Sequence, residues 1–400
     1  MVSQKSRVVG IALITAIGVM GDSMLFVVLP IYWEEFGLTA LWQIGILLSI
    51  NRFIRLPINP LVGLFYQHYQ IRTGMFFAVI LAVLTTMSYG LLHQFWLLVI
   101  MRALWGVAWS LLRLGGYLTV IDVANHQNRG NYVGLYNGLW GLGGLVGMLA
   151  GGLLVDQTSV VFVTSLFALV GLLVLPAISF LVPGIKHTKN EEEKEKDYER
   201  ANWFTPYIGM VLLTGMSMGF IVFGLFASTL SPLIERVYTD EWTILQITLG
   251  AATLAGMIQA IRWGWDPFIA PLVGKILDSA KSMVSILFIP LFGGGILLIF
   301  LGNIESIIIL IVGLLVFQLI STMFVTTTDT LATSAAARTD RVKMITAHTV
   351  VVDVGAALGP FVSYLILELY SLTAIYYISG SLLILLGGSW FIFNRRRLSE

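Results

Sequence analysis

The sequence predicts an all-α integral membrane protein with twelve transmembrane helices in two pseudo-symmetric six-helix bundles. Hydrophobic residues make up 57% of the chain and charged residues only 11%, a balance well outside that of water-soluble domains. Apolar stretches of about 20 residues, the length that crosses a bilayer core, recur throughout the chain. A repeated tetrapeptide is the third observation, and it indicates that the two halves are homologous.

Twelve apolar stretches, taken in chain order, define the predicted helices. Their approximate spans are 8–33, 42–66, 74–94, 95–119, 133–155, 160–183, 206–230, 244–275, 283–302, 306–331, 344–368 and 372–394. The first stretch is too long for a signal peptide and lacks a small-residue cleavage site, so we interpret it as a membrane span. The chain has no cysteine, which excludes disulfides and thiolate metal sites.

The repeated tetrapeptide is Pro60-Leu61-Val62-Gly63, which recurs as Pro271-Leu272-Val273-Gly274 after 211 residues. Each copy closes an apolar stretch and leads into a short polar turn. Duplicated membrane halves are typical of secondary transporters, in which the substrate binds between the halves. We therefore expect an N-terminal bundle over 1–183, a solvated cytoplasmic linker over 184–205 and a C-terminal bundle over 206–400.

The basic residues indicate the orientation of the chain. Seventeen Lys and Arg residues fall in or beside the loops on the side of the two termini, and Arg236 alone falls in the opposite loops. Cytoplasmic loops carry such an excess of positive charge. We therefore expect a multi-pass protein of the cell membrane with both termini in the cytoplasm.

Short motifs lie in the polar turns and at the start of the fourth span. The second half has Gly274-Lys275-Ile276-Leu277-Asp278, whereas the first half has Gly63 with Gln67 at the position of the acid. The fourth span contains Arg102-Ala103-Leu104-Trp105-Gly106, and Arg129-Gly130 precedes the fifth span.

Glycines spaced by four residues mark two further spans. The fifth span has Gly143, Gly147, Gly151 and Gly152, and the eleventh has Gly355-Ala356-Ala357-Leu358-Gly359-Pro360. Glycines four apart lie on one helix face and let a second helix approach closely.

Together, the turn motifs and the glycine stretches resemble the major facilitator superfamily over essentially the whole chain. The Arg102–Gly106 motif and the glycine stretches resemble its drug:proton antiporter branch. The chain departs from that branch where Trp105 replaces a glutamine and Met148 replaces a proline. The resemblance implies alternating access, with a gating role for the residues at these motif positions. Those residues are Gly63, Gln67, Arg129, Gly143, Gly147, Gly151, Gly152, Gly274, Asp278, Gly355, Gly359 and Pro360.

Charged residues at membrane depth are costly and usually face a cavity or a partner. Asp22 lies past the middle of the first span, and Arg102 lies about one and a half turns from the outer end of the fourth, so the two can share one depth. A carboxyl whose guanidinium partner moves can bind a proton in one state and release it in another. We expect Asp22 to carry the proton and Arg102 to tune it, with a permanent salt bridge as the alternative. Asp353 is the candidate for a second protonation step.

A polar stripe is predicted on the second span, where Asn51, Arg55 and Asn59 are four apart and Arg52 adjoins them. We expect these residues to line the substrate path. The other substrate candidates are Trp105, Trp109 and Arg113 in the fourth span and Arg262, Trp263 and Asp266 in the eighth. Arg262 and Asp266, being four apart, can instead pair with each other as a structural element.

The motif content argues against other functions. The sequence has no phosphate-binding loop with its lysine, no nucleophile elbow and no metal-ligand spacing among its five histidines. We therefore predict a secondary active transporter, not an enzyme, without a cofactor and driven by the proton gradient. Its expected partners are the lipid bilayer, protons and a small molecule, with no nucleic acid, and we expect a monomer.

The substrate remains open between small amphipathic molecules or drugs and an anionic or zwitterionic metabolite such as a metallophore or siderophore. Aromatic and methionine richness favours the first, and the basic residues at membrane depth favour the second. A non-transporting sensor on a transporter fold is the alternative from another functional class.

Overall fold

A computed structural model describes residues 4–123, 129–182, 184, 205–239, 242–244, 247–279, 282–337, 339 and 341–399. In these ranges the chain is almost entirely helical. The α-helices are α1 (Gln4–Val28), α2 (Leu41–Phe53), α3 (Arg55–His68), α4 (Ile71–Leu91), α5 (Phe95–Val123), α6 (Arg129–Gln157), α7 (Val160–Leu181), α8 (Pro206–Met218), α9 (Ala227–Val237), α10 (Ala251–Ser279), α11 (Met283–Phe288), α12 (Gly294–Leu301), α13 (Ile307–Ala336), α14 (Arg341–Leu369) and α15 (Leu372–Ser399).

Two π-helical segments join α-helices into longer rods. The first, π1 (Gly219–Phe226), joins α8 to α9, and the second, π2 (Ile289–Gly293), joins α11 to α12. A small antiparallel hairpin of β1 (Trp242–Ile244) and β2 (Ile247–Leu249) precedes α10.

All twelve predicted positions are helical, which confirms the all-α membrane fold. Ten of them hold helices long and apolar enough to cross a membrane in the described part of the chain. The other two are the α2–α3 pair and α10. These helices are shorter or more polar than the ten. The α2–α3 pair carries Arg52 and Arg55, and α10 carries Arg262 and Asp266.

Several predicted boundaries are wrong by five to seven residues, and two of them have a clear physical cause. The first span was expected to reach residue 33, but α1 ends at Val28, just before Leu29 and Pro30. Proline disfavours helical geometry in the residue before it and has no N–H to donate. The eighth span was expected to begin at residue 244, but the β-branched run there pairs as a hairpin, and α10 begins at Ala251.

The contacts divide the chain into two compact units. Unit 1 comprises Met1–Thr39, Ile46–Glu193 and Asp240–Trp263, and unit 2 comprises Ala40–Gly45, Lys194–Thr239 and Gly264–Glu400. Two helices, α2 and α10, therefore each contribute residues to both units. Apart from Gly184 and Thr205, the predicted linker lies outside the described residues, and the predicted bundle limits stay a prediction.

Glycines determine how the central helices of unit 1 pack. On α6, a side chain at Gly143 would collide with the backbone of Ala16, and one at Gly147 would collide with the backbone of Met20. One turn further, Gly151 faces the side chain of Met24. The four-residue spacing on α6 thus matches a four-residue spacing on α1, so the two helices run side by side at close range.

Unit 2 repeats this arrangement between α14 and the α8–π1 rod. Gly355 lies against the backbone of Met216, and Gly359 lies against the backbone of Phe220 and Gly224. The partner of α14 is π-helical at this level, whereas α1 is a regular α-helix. A π-helical insertion within an α-helix is often found at functional sites.

Candidate functional site

A buried ion pair joins α1 to α5 in unit 1. An Arg102 Nη atom donates to Oδ1 of Asp22, and the two side chains are 1% and 12% exposed. The amide of Asn51, on α2, also donates to Oδ1 of Asp22, over 3.2 Å. Both donors therefore bind the same carboxylate oxygen, and no described residue donates to Oδ2.

The rest of the Arg102 side chain is held by α2 and α4. Its Nε donates to the carbonyl of Leu47 over 2.8 Å, and its guanidinium carbon lies 5.8 Å from the ring centroid of Tyr89. The second Nη of Arg102 and Oδ1 of Asn51 are buried and make no hydrogen bond within the described chain. Leaving a buried polar atom without a hydrogen bond costs free energy. A water molecule or a rearranged side chain that bonds to these two atoms would therefore stabilise the site.

A row of aromatic rings in unit 1 starts at Arg55. The Arg55 guanidinium lies over the ring of Trp109, 5.4 Å from its centroid. Trp109 packs edge-to-face on Trp140 at 5.1 Å, and Trp140 packs edge-to-face on Trp263 at 6.1 Å. We call these four residues the tryptophan row. It links α3, α5, α6 and the first part of α10, and it presents flat apolar surface beside a cation.

Polar groups hold the middle of the tryptophan row. The indole N–H of Trp140 and the hydroxyl of Tyr117 both donate to Oδ1 of Asn137, each over 3.1 Å. The indole N–H of Trp109 is buried and has no hydrogen-bond partner among the described residues. Trp140 therefore has a fixed orientation, whereas the indole N–H of Trp109 is buried and unpaired within the described residues.

The predicted polar stripe on the second span is interrupted. Asn51 belongs to α2, whereas Arg55 and Asn59 belong to α3, because the helix breaks at Ile54. Pro57 has no N–H for the carbonyl of Phe53, and its ring clashes with that carbonyl, which explains the break. Asn51 turns to Asp22, Arg55 is buried against Trp109, and Asn59 is exposed.

The other predicted site residues occupy several places. Trp105 is fully buried, and Arg113 is exposed on α5. Asp266 accepts a hydrogen bond from the hydroxyl of Thr322 in unit 2, and Arg262 is buried in unit 1. Arg52 and Asp353 are each partly buried and have interactions with other groups.

The predicted gating residues also differ in their surroundings. A side chain at Gly63 or Gly274 would meet nothing within 4 Å, so neither glycine is required for close packing. Gln67 is exposed at the end of α3. The side chains of Arg129 and Asp278 lie outside the described residues. Pro360 of α14 packs at Gly45, whose added Cβ would lie 2.9 Å from the Pro360 carbonyl oxygen.

Sequence reasoning did not identify Trp140, Asn137 or Thr322 as site residues. Trp140 adjoins the glycine stretch of α6, and Thr322 lies one turn after Gln318 on a helix rich in Thr and Ser. That enrichment in a membrane span was a usable signal, because polar side chains there usually bond across helices.

Two cavities in the described structure lie away from these groups. One of about 340 Å³ is entirely apolar and is lined by Ile58, Leu61, Val62, Phe65, Phe77, Ile80, Leu81, Val107 and Leu111. The other, of about 510 Å³, is polar and is lined by Arg236, Val237, Thr239, Gly302, Asn303, Ile304, Glu305 and Thr373. Neither contains Asp22, Arg102 or the tryptophan row.

Comparisons with known proteins agree with this architecture. The family model for the Major Facilitator Superfamily matches residues 11–336. A tetracycline resistance protein of class H from Pasteurella multocida is 23% identical over 253 residues, which are 61% of this chain and 62% of that protein. The match therefore spans less than two thirds of the length of that relative.

Solved structures show the same fold across the whole chain. A bacterial homolog of the human lysosomal transporter Spinster, in an inward-facing and unoccupied conformation, gives a TM-score of 0.80 at 14% identity, covering 99% of this chain and 98% of that one. The nucleoside transporter NupG gives a TM-score of 0.75 at 10% identity, covering 96% of this chain and 98% of that one. A POT family transporter in complex with 5-aminolevulinic acid gives a TM-score of 0.73 at 9% identity, covering 98% of this chain and 96% of that one.

Proposed function

This chain belongs to the Major Facilitator Superfamily, and we propose that within that family it exports small molecules across the cell membrane in exchange for protons. The observation that carries the proposal is the buried Asp22–Arg102 pair with Asn51 beside it. An ionisable pair at membrane depth is expensive to keep, and proton-driven transporters use such groups as proton carriers.

The geometry supports Asp22 as the proton carrier. Arg102 and Asn51 both bind Oδ1, so a proton can add to Oδ2 without displacing either donor. Protonation neutralises the carboxylate and removes the attraction that holds Arg102 to α1. Arg102 then has only a neutral, weaker hydrogen bond to Asp22 on α1, while its bond to the Leu47 carbonyl and its contact with Tyr89 on other helices are unchanged. Proton binding thereby loosens α1 from α5, and proton release restores the pair.

The tryptophan row supports a substrate with flat apolar surface. Trp109, Trp140 and Trp263 offer rings in edge-to-face order, and the indole N–H of Trp109, buried and unpaired within the described residues, is a donor that a substrate could satisfy. Amphipathic drug-like molecules fit these groups, and the relative from Pasteurella multocida is by its printed name a tetracycline resistance protein. Asp353 remains our candidate for a second protonation step.

Arg55 favours a second candidate substrate class. Its guanidinium lies over Trp109, so a carboxylate could bind there beside an aromatic surface. An anionic or zwitterionic metabolite such as a metallophore is therefore the alternative cargo. In either case we propose that the chain works as a monomer. The distribution of basic residues supports the proposal that both termini lie in the cytoplasm.

Transport in proteoliposomes tests the proposal. An inward-directed proton gradient should drive counter-transport of at least one compound from a panel of cationic, neutral and anionic aromatics. Asp22→Asn should abolish the gradient-driven part of the flux, while Glu34→Gln, at an exposed position between α1 and α2, serves as the matched control. Full gradient-driven transport by the Asp22→Asn variant would exclude Asp22 as the proton carrier. The absence of flux for every compound would favour the alternative of a non-transporting sensor.

A further inference from the structure

The first turn of α10 is capped by an acid from another helix. Asp156 is the penultimate residue of α6. Its Oδ2 accepts a hydrogen bond from the backbone N–H of Thr253 over 2.9 Å and another from the Thr253 hydroxyl over 2.5 Å. Its Oδ1 accepts from the hydroxyl of Tyr32 over 2.7 Å. The residue before α10 is Gly250, which has no side chain to cap the helix. Asp156 therefore supplies the missing cap.

The first turn of α2 is capped in the same way. Glu368, next to the last residue of α14, accepts through Oε2 from the backbone N–H of Leu41 over 2.8 Å. The residue before α2 is Ala40, whose methyl group cannot accept a hydrogen bond. The first N–H groups of a helix have no partner within it and carry partial positive charge. A carboxylate therefore stabilises the first turn of α10 and the first turn of α2.

The two caps are related by the internal duplication. Asp156 and Glu368 are 212 residues apart, as are Gly143 and Gly355 on the same two helices. Close backbone contacts accompany both caps: Gly45 lies against the Pro360 carbonyl, and Gly256 lies against the Met148 carbonyl. The same acid-to-helix contact therefore occurs at equivalent positions of the two halves.

Each capped helix end belongs to a different unit from the rest of its helix. Residues 251–263 of α10 are in unit 1 with α6, but Gly264–Ser279 are in unit 2. Residues 40–45 of α2 are in unit 2 with α14, but the rest of α2 is in unit 1. The two parts of each helix can therefore move apart only if the helix bends or its first turn detaches from the cap.

We propose that Asp156 and Glu368 are paired latches, which hold the first turns of α10 and α2 and must release them for the transporter to open on the side opposite its termini. The proposal rests on alternating access, not on the proton or substrate assignments. Asp156 is the stronger latch, since it is partly buried and accepts two hydrogen bonds from α10, whereas Glu368 is exposed and accepts one from α2.

The cysteine-free chain allows a direct test with single reporters. Ala252 is fully buried, and its carbonyl lies against Gly152 of α6. An Ala252→Cys reporter should therefore react with a membrane-impermeant maleimide, added on the side opposite the termini, only when the first turn of α10 detaches. No substrate and no proton gradient are needed, so the result is independent of the proposed function.

Asp156→Asn should raise the labelling rate of this reporter about tenfold, which corresponds to about 1.4 kcal/mol and lies within the range for a charge at a helix end. Thr253→Val, which removes only the hydroxyl donor, should raise it about threefold. Glu368→Gln should have a smaller effect than Asp156→Asn. The matched control is Glu35→Gln, which removes an exposed acid from the turn between α1 and α2 and should change nothing.

A second reporter separates latch release from unfolding. Ala78→Cys lies in the fully buried core of unit 1 and should stay unlabelled in every variant. The proposal is overturned if Asp156→Asn leaves the Ala252→Cys rate unchanged. It is equally overturned if Glu35→Gln matches the effect of Asp156→Asn, or if both reporters become accessible together.

Discussion

The ion pair between Asp22 and Arg102 allows a double-mutant cycle whose outcome depends on burial. Arg102→Leu leaves the Asp22 carboxylate, only 12% exposed, with Asn51 as its remaining donor. Removing one partner of a buried pair typically costs about 3–5 kcal/mol, because the other charge stays desolvated. Asp22→Asn keeps an oxygen for the Arg102 guanidinium, so it should cost less, about 1–3 kcal/mol.

The double variant should cost clearly less than the sum of the single variants, because no uncompensated charge remains. We expect a coupling energy of about 2 kcal/mol, within the range for residues that share one network. Unfolding in detergent, followed by tryptophan fluorescence under identical conditions for all four proteins, gives the cycle. Arg113→Leu, an exposed arginine on the same helix, is the control and should change stability by less than about 0.5 kcal/mol. Additive single effects would refute the argument that this pair is desolvated and mutually dependent.

Three further outcomes follow from the packing and the tryptophan row. Gly147→Val should destabilise the protein by about 1–3 kcal/mol through collision with Met20, whereas Gly138→Val, which meets nothing within 4 Å, should be tolerated in thermal unfolding. Trp140→Ala should raise the KM for aromatic substrates more than it lowers kcat, and Trp96→Ala, 70% exposed, should leave both unchanged in transport assays. Asn137→Leu, which removes the acceptor shared by Trp140 and Tyr117, should shift KM in the same direction as Trp140→Ala, and an unchanged KM would separate Asn137 from the row.

Hydropathy predicted the helices because membrane spans are defined by one dominant free-energy term, the transfer of apolar side chains into lipid. The breaks depend on weaker local effects. Pro57 splits the second span into α2 and α3, although the apolar stretch continues through it. The short run Trp242–Ile244 is apolar enough to extend a span, but it forms a hairpin with Ile247–Leu249.

The site was predictable only in part. Asp22 and Arg102 could be paired from depth alone, because two opposite charges in a bilayer core require partners. Asn51 was assigned to the substrate path from its spacing, and spacing alone cannot show that its amide donates to Asp22 on another helix. The tryptophan row joins four helices, so no local sequence pattern contains it.

The Gly151-Gly152 doublet has a consequence for how mutations in α6 act. Successive residues of an α-helix point about 100° apart, and here Gly151 faces Met24 of α1 while Gly152 faces the backbone of Ala252 of α10. The first contact lies between two helices of unit 1 that stay together, and the second involves a helix end that the latch proposal allows to leave. An alanine at Gly151 should therefore weaken every conformation alike and lower the melting temperature. An alanine at Gly152 should instead weaken only the latched conformation, so the protein would keep its fold and spend more time in the released state.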